Sequence, residues 1–152
     1  DPLCFERMHY DRKRRRLYIF AEISGLNLFN RQFWEKAQQY NDAMTIADSA
    51  EPKSIAELRS WGMKIKGAKK GPGSVEFGIK FLQDLEQIII DSERCPLAAR
   101  EFINYALETD RNGIVKSQFP DKDNHSIDSC RYALEDDMVQ RKKGPVDKPP
   151  GW

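Results

Sequence analysis

Two segments of the sequence hold the residues best suited to chemistry, and both offer carboxylates. The first is the apolar run at 44–47, which ends on Asp48. A buried strand that delivers an acidic side chain at its carboxyl end is typical of ligand sites in α/β folds. In the second segment, His125 and Asp128 lie three positions apart at the start of a predicted helix, so they share one face. Carboxylates with one imidazole and no thiol suit Mg²⁺ or Mn²⁺ better than zinc, and such a cation indicates phosphoryl chemistry.

Each of these residues also has a purely structural interpretation. Asp48 can cap the turn that leads into the following helix. Asp128 can interact with its own helix end while His125 is half-buried. The spacing alone leaves both interpretations open.

Two basic clusters could contact phosphates. The chain has 25 Lys and Arg against 24 Asp and Glu, a formal charge of +1, so only a local concentration of charge can attract nucleic acid. The alternative is that the first cluster is a solvated hairpin tip and the second a solvated edge. The candidate DNA-binding residues are Arg12, Lys13, Arg14, Arg15, Lys69 and Lys70.

Composition indicates one globular domain. The chain has 152 residues, of which 39% are hydrophobic, and its mean hydropathy is -0.72. A chain of this size can build a proper core. No apolar run approaches the ~20 residues of a membrane helix, and no leader pattern is present, so we expect no membrane partner. Three widely spaced cysteines match neither a zinc motif nor a disulfide framework, which favours a reducing, cytosolic setting.

The periodicity predicts a mixed α/β sheet flanked by helices. Strands are expected at 3–10 and 16–24 (a hairpin with a basic tip), 44–47, 63–68 and 88–90, and a second hairpin at 105–107 and 114–116 with its turn at 110–113. Five helices are expected, at 30–41, from Pro52, from about 74, at 96–104, and from Asn124. Asn30 and Ser74 are the predicted caps of the first and third, and residues 54 and 57 have the spacing of a capping box in the second. The predicted domain covers 1–138, and 139–152 is a Pro/Gly-rich tail.

Read together, three segments resemble the C-terminal nuclease domain of tailed-phage terminase large subunits. The resemblance covers residues 1–134 and is most specific where DSAEPKSI and DKDNHSID occur in this order. The segments are 46–55 (IADSAEPKSI), 69–75 (KKGPGSV) with Gly78 and Ile79, and 119–134 (FPDKDNHSIDSCRYAL).

The resemblance implies an RNase H-like fold and a metal-dependent endonuclease that cuts concatemeric phage DNA as a genome is packaged. Asp48 and Asp128 match the family's metal ligands, and His125 matches a neighbouring ligand or proton-transfer group, with Mg²⁺ or Mn²⁺ as the cofactor. The implied partners are double-stranded phage DNA, the terminase small subunit, the portal and the procapsid, in the cytoplasm of the bacterial host.

Two departures from the family pattern matter. The family has a further acidic ligand on a first core strand, which would lie upstream of Asp1. No GxxxxGK[ST] phosphate loop is present, so the packaging ATPase would belong to another part of the protein. The alternative function is therefore a non-catalytic module with the same fold that binds DNA or docks on the packaging motor.

Overall fold

A computed structural model describes the backbone of residues 3–107 and 124–142 and the side chains of residues 3–105 and 124–138. No helix in these ranges is long and apolar enough to cross a membrane. The strands are β1 (Leu3–Asp11), β2 (Arg16–Gly25), β3 (Thr45–Ala47), β4 (Ile65–Gly67) and β5 (Gln87–Ile90). The helices are α1 (Asn30–Ala37), which continues as a 3-10 helix (Gln38–Tyr40), α2 (Pro52–Ser60), α3 (Ser74–Gln83), α4 (Pro96–Leu107), α5 (His125–Ala133) and α6 (Glu135–Lys142).

The strands form a mixed arrangement, as the sequence predicts. β1 and β2 are an antiparallel hairpin with residues 12–15 at its tip, and β5 adds in parallel to the other side of β2. β3 and β4 form a separate parallel pair.

A β-bulge in the hairpin decides which residues face which core. Between Arg7 and Met8 the pairing shifts, and Phe20 is the extra residue of β2. A bulge reverses the faces to which the following side chains of its strand point. Ile19 therefore packs with α3 to α6, whereas Ile23 packs in a second core with α1 and α2. Helices consequently cover both faces of the hairpin.

The predicted hairpin strand at 105–107 was wrong. Residues 105–107 belong to α4, which runs to Leu107. Phe102 and Tyr105 lie one helical turn apart and both pack against the larger core, so the helical period is the one that buries them. Residues 110–116 lie outside the described ranges.

The last helix is broken into two, contrary to expectation. α5 ends at Ala133 and α6 begins at Glu135. Leu134 and Met138 still enter the same core, so the apolar stripe survives the break. α6 runs on to Lys142, and the boundary at 138 between domain and tail stays a prediction.

Two predicted helix caps were displaced by one residue, and a predicted capping box is absent. Asn30 and Ser74 are the first helical residues, and the cap positions are Phe29 and Gly73. Gly73 has φ 73°, a conformation that glycine adopts without strain. α2 begins at Pro52, as expected, and the fixed φ of proline suits this first helical position. The predicted capping box was wrong, because residues 54 and 57 already lie inside the helix.

Candidate active site

A cleft of about 990 Å³ separates β1 from β3. β1 is an edge strand of its sheet, and β3 pairs with β4 alone among the described strands, so both line the cleft with an unpaired edge. Side chains of α1, α2 and α5 complete its walls. Asp48, His125 and Asp128 all line this one cleft. The fold therefore brings together the three residues that the sequence singled out.

Asp48 directly follows β3, at the strand end where the sequence placed it. Its Oδ1 accepts hydrogen bonds from the Ala50 N–H at 2.9 Å and from Lys70 Nζ at 2.5 Å. The first bond is the turn contact of the structural interpretation. Burial opposes ionisation of Asp48, but the bonds from Lys70 and Ala50 outweigh it, so its pKa is lowered. The carboxylate is ionised at neutral pH and can bind a cation.

His125 and Asp128 lie in the first turn of α5, as their spacing predicts. α5 has no side-chain cap from Asn124. Instead, both carboxylate oxygens of Glu101 on α4 accept the N–H of Ser126, at 2.9 and 3.0 Å. Glu101 is fully buried, and this burial raises its pKa to about 7. Glu101 thereby fixes the turn of α5 that carries His125 and Asp128.

Each candidate carboxylate is paired with a cation of the chain itself. Arg131 donates to Asp128 Oδ1 from Nη2 at 2.7 Å and from Nε at 3.2 Å, and Lys70 binds Asp48. The charged groups of Arg131 and Lys70 lie 5.3 and 5.5 Å from the centre of the Tyr132 ring. Burial raises the pKa of Tyr132, and the charges of Asp128 and Asp48 raise it further. The two ion pairs therefore share one aromatic neighbour.

The side chains of Asp48, His125 and Asp128 are of the types that bind a hard divalent cation. Their donor atoms do not, however, lie close enough together to form a complete coordination site. Carboxylate oxygens are the ligands that Mg²⁺ and Mn²⁺ prefer. Within the described ranges, Asp48, His125 and Asp128 do not form a group whose donor atoms all lie within 4.8 Å of one another. The two carboxylates repel each other because they carry like charges. Each is neutralised by a different side chain, Lys70 or Arg131, so no described residue bridges them.

A second acidic group, which the sequence analysis missed, lies in the protein interior. Glu6 and Glu22 are direct partners across β1 and β2, and their donor atoms and that of Cys95 lie within 4.8 Å of one another. Glu22 accepts the N–H groups of Leu97 and Ala98 at 3.1 and 3.0 Å. Burial, and then Glu22, raise the pKa of Glu6 to about 9. Glu6 therefore carries its proton at neutral pH. The sequence did not predict the Glu6–Glu22 pair, because it depends on the register of the hairpin.

At the hairpin tip, two of the predicted DNA-binding residues are paired within the chain. Arg12 forms an ion pair with Asp137 of α6, and Arg14 forms one with Asp11 at 3.2 Å. Lys13 makes no ion pair with any residue that the structure describes. The positive charge of the tip is therefore partly neutralised.

The remaining basic candidates divide in the same way. Arg15 donates to the main-chain oxygen of Asp84 at 3.1 Å. Because this acceptor is uncharged, the bond does not neutralise the guanidinium of Arg15. Lys70 is engaged by Asp48. The backbone N–H of Lys69 donates to a carboxylate oxygen of Glu135 at 2.8 Å, which anchors the segment before α3.

The fold and the cleft together define an RNase H-like domain with one carboxylate, Asp48, after β3 and another, Asp128, in the first turn of α5. The chain belongs to the terminase RNase H-like family, because the family described as "Terminase RNAseH like domain" matches residues 1–136.

Two relatives extend this result. The chain is 45% identical over 150 residues to the terminase large subunit of Bacillus phage SPP1, covering 96% of this chain and 35% of that protein. It is 30% identical over 145 residues to the PBSX phage terminase large subunit of Bacillus subtilis (strain 168), covering 93% of this chain and 33% of that protein. The chain thus spans about a third of the length of these relatives.

One solved structure is closely similar. It is the crystal structure of the g2p (large terminase) nuclease domain from bacteriophage SPP1 with bound Mn. The TM-score is 0.82 at 44% identity, over 91% of this chain and 80% of that chain. The RNase H-like fold implied by the sequence resemblance is confirmed.

Proposed function

We propose that this chain is the metal-dependent endonuclease domain of a phage terminase large subunit and that it cuts concatemeric phage DNA during packaging. One observation carries the proposal: Asp48, at the end of β3, and Asp128, at the start of α5, line one cleft together with His125. The similar SPP1 nuclease domain, crystallised with Mn, supports it.

The residues that would hold Mg²⁺ or Mn²⁺ are Asp48, Asp128 and His125. Asp48 already pairs with one positive group, the ammonium of Lys70, which lies 2.5 Å from its Oδ1. When bound, the metal would activate water and stabilise the leaving oxygen of the phosphodiester. The chain's own contribution is to keep Asp48 ionised, to orient Asp128, and to place a half-buried imidazole beside them for ligation or proton transfer.

An extended segment from upstream of Asp1 is proposed to occupy the cleft between β1 and β3. Among the residues that the structure describes, no strand pairs with the facing edges of β1 and β3, and unmade ladder bonds are costly. A strand in this place would join the two sheets and bring one more side chain close to Asp48, where we place the family's further acidic ligand.

Duplex phage DNA is the proposed substrate, and the terminase small subunit, the portal and the procapsid are the proposed partners, in the host cytoplasm. All six basic candidates stay predictions for DNA contact. The ion pairs of Arg12 and Arg14 favour Lys13 and Arg15 as the stronger contacts at the hairpin tip.

A nicking assay separates this enzyme from the rival non-catalytic module. The protein with its native upstream sequence is incubated with supercoiled plasmid and Mn²⁺. We expect nicking, its loss in Asp128→Asn, and its retention in the control Asp91→Asn, because Asp91 is exposed and neither it nor its ion-pair partner Arg94 lines the cleft. DNA retention that falls with salt, without nicking, would support the binding module instead. Nicking by Asp128→Asn at the native rate would overturn the site assignment.

A further inference from the structure

The partner of Asp128 is buried far more deeply than the partner of Asp48. The Arg131 side chain is 8% exposed, whereas that of Lys70 is 43% exposed. Lys70 can therefore move into solvent when another cation takes its place, but Arg131 cannot. Arg131 is thus a fixed component of the cleft.

Arg131 is held in place by an unusual contact with α3. A Cβ atom at Gly78 would lie 2.7 Å from Arg131 Cδ and 3.0 Å from its Cγ, so the side chain passes directly against the backbone of the helix. Glycine is unfavourable inside a helix compared with alanine. Gly78 lies within α3 and is buried, and the passage of Arg131 gives a physical reason for a glycine at this position.

The two nitrogens of Arg131 converge on one oxygen of Asp128. Both Nη2 and Nε donate to Oδ1, and among the described residues no hydrogen bond reaches Oδ2. Two charge-assisted bonds to Oδ1 restrict the carboxylate and leave Oδ2 available for another ligand.

We propose that Arg131 is a positioning residue that orients Asp128 so that Oδ2 can bind the divalent cation, and that Gly78 provides the space this requires. The inference rests on the proposed function, because it assumes that Asp128 is a metal ligand. Residues that hydrogen-bond a metal-ligating carboxylate typically change metal affinity by about 10- to 100-fold when they are altered.

The test must keep the charge of the cleft constant. Replacing Arg131 by a neutral residue would mix two opposite effects, since it would free Asp128 to rotate and also remove a positive charge that repels the metal. Gly78→Ala and Arg131→Lys both retain that charge. The first displaces the guanidinium, and the second replaces two convergent N–H donors by a single ammonium group.

The experiment measures Mn²⁺ affinity by electron paramagnetic resonance titration, well below the unfolding temperature of each variant. We expect Gly78→Ala and Arg131→Lys to bind Mn²⁺ about 10-fold or more weakly than wild type. Gly25→Ala is the matched control, because its Cβ would lie 3.9 Å from Leu28 Cβ, an ordinary contact. Thermal unfolding of the same proteins without metal shows whether a variant is merely less stable.

The outcomes distinguish this inference from the function on which it rests. Native Mn²⁺ affinity in both Gly78→Ala and Arg131→Lys, with binding lost in Asp128→Asn, would overturn the positioning role and leave the metal site intact. Undiminished Mn²⁺ binding in Asp128→Asn would overturn both. If Gly78→Ala does not fold, Arg131→Lys decides by the same measurement.

Discussion

Glu6→Gln is expected to stabilise the protein at neutral and alkaline pH. Burial, and then the adjacent Glu22, raise the pKa of Glu6 from 4.5 to about 9, so the folded protein holds a proton that the unfolded chain releases. The contribution of Glu6 to stability is complete below pH 4.5 and is lost as the pH rises toward 9. A glutamine at this position keeps a hydrogen-bond donor for Glu22 and has no proton to lose.

The size of the effect follows from the displaced pKa. One proton held only by the folded state lowers the free energy of unfolding by about 1.4 kcal/mol per pH unit. Between pH 6 and 8 this amounts to about 3 kcal/mol. Glu101, with a pKa of about 7, adds a similar dependence below pH 7 and little above it.

Urea denaturation at pH 6, 7 and 8 measures this dependence. We expect the stability of wild type to fall with pH, and the difference between Glu6→Gln and wild type to grow by about 1.4 kcal/mol per pH unit. Glu35→Gln on the exposed face of α1 is the control and should follow wild type. Parallel curves for wild type and Glu6→Gln would refute the reasoning, because they would show that Glu6 is ionised in the folded protein at these pH values.

Three further predictions concern the site and the DNA-binding surface. Glu101→Leu should lower the free energy of unfolding by about 1–3 kcal/mol in urea at pH 5, since it leaves the buried Ser126 N–H at the start of α5 without its acceptor; an unchanged free energy would mean that Glu101 is not an effective cap. Nicking should require Mn²⁺ or Mg²⁺ and survive zinc-selective chelation, so full activity in excess EDTA would exclude the metal mechanism. Joint neutralisation of the hairpin tip should weaken DNA binding and make its salt dependence shallower by about one unit for each phosphate that the tip no longer neutralises, and an unchanged slope would leave the tip as a solvated turn. The residues to neutralise together are Arg12, Lys13, Arg14 and Arg15.

The sequence alone determined the kinds of elements and the positions of the site residues along them. An apolar run predicted β3 and placed Asp48 at its end, and an i,i+3 spacing put His125 and Asp128 on one face of α5. These features are local, because backbone geometry fixes the periods of strands and helices within a few residues. The local signal at 105–107 fitted a strand as well as a helix. These residues are helical because the helical period packs Phe102 and Tyr105 against the core.

Only the tertiary structure decided which distant residues meet. The register of the hairpin sets Glu6 opposite Glu22, and the bulge at Phe20 assigns the two halves of β2 to different cores. The passage of Arg131 across Gly78 likewise depends on how α5 packs on α3. Such contacts join residues that are far apart in the chain, and their free energy comes from burial and pairing in the assembled fold. No sequence period encodes them, which is why the residues around the candidate ligands became visible only in three dimensions.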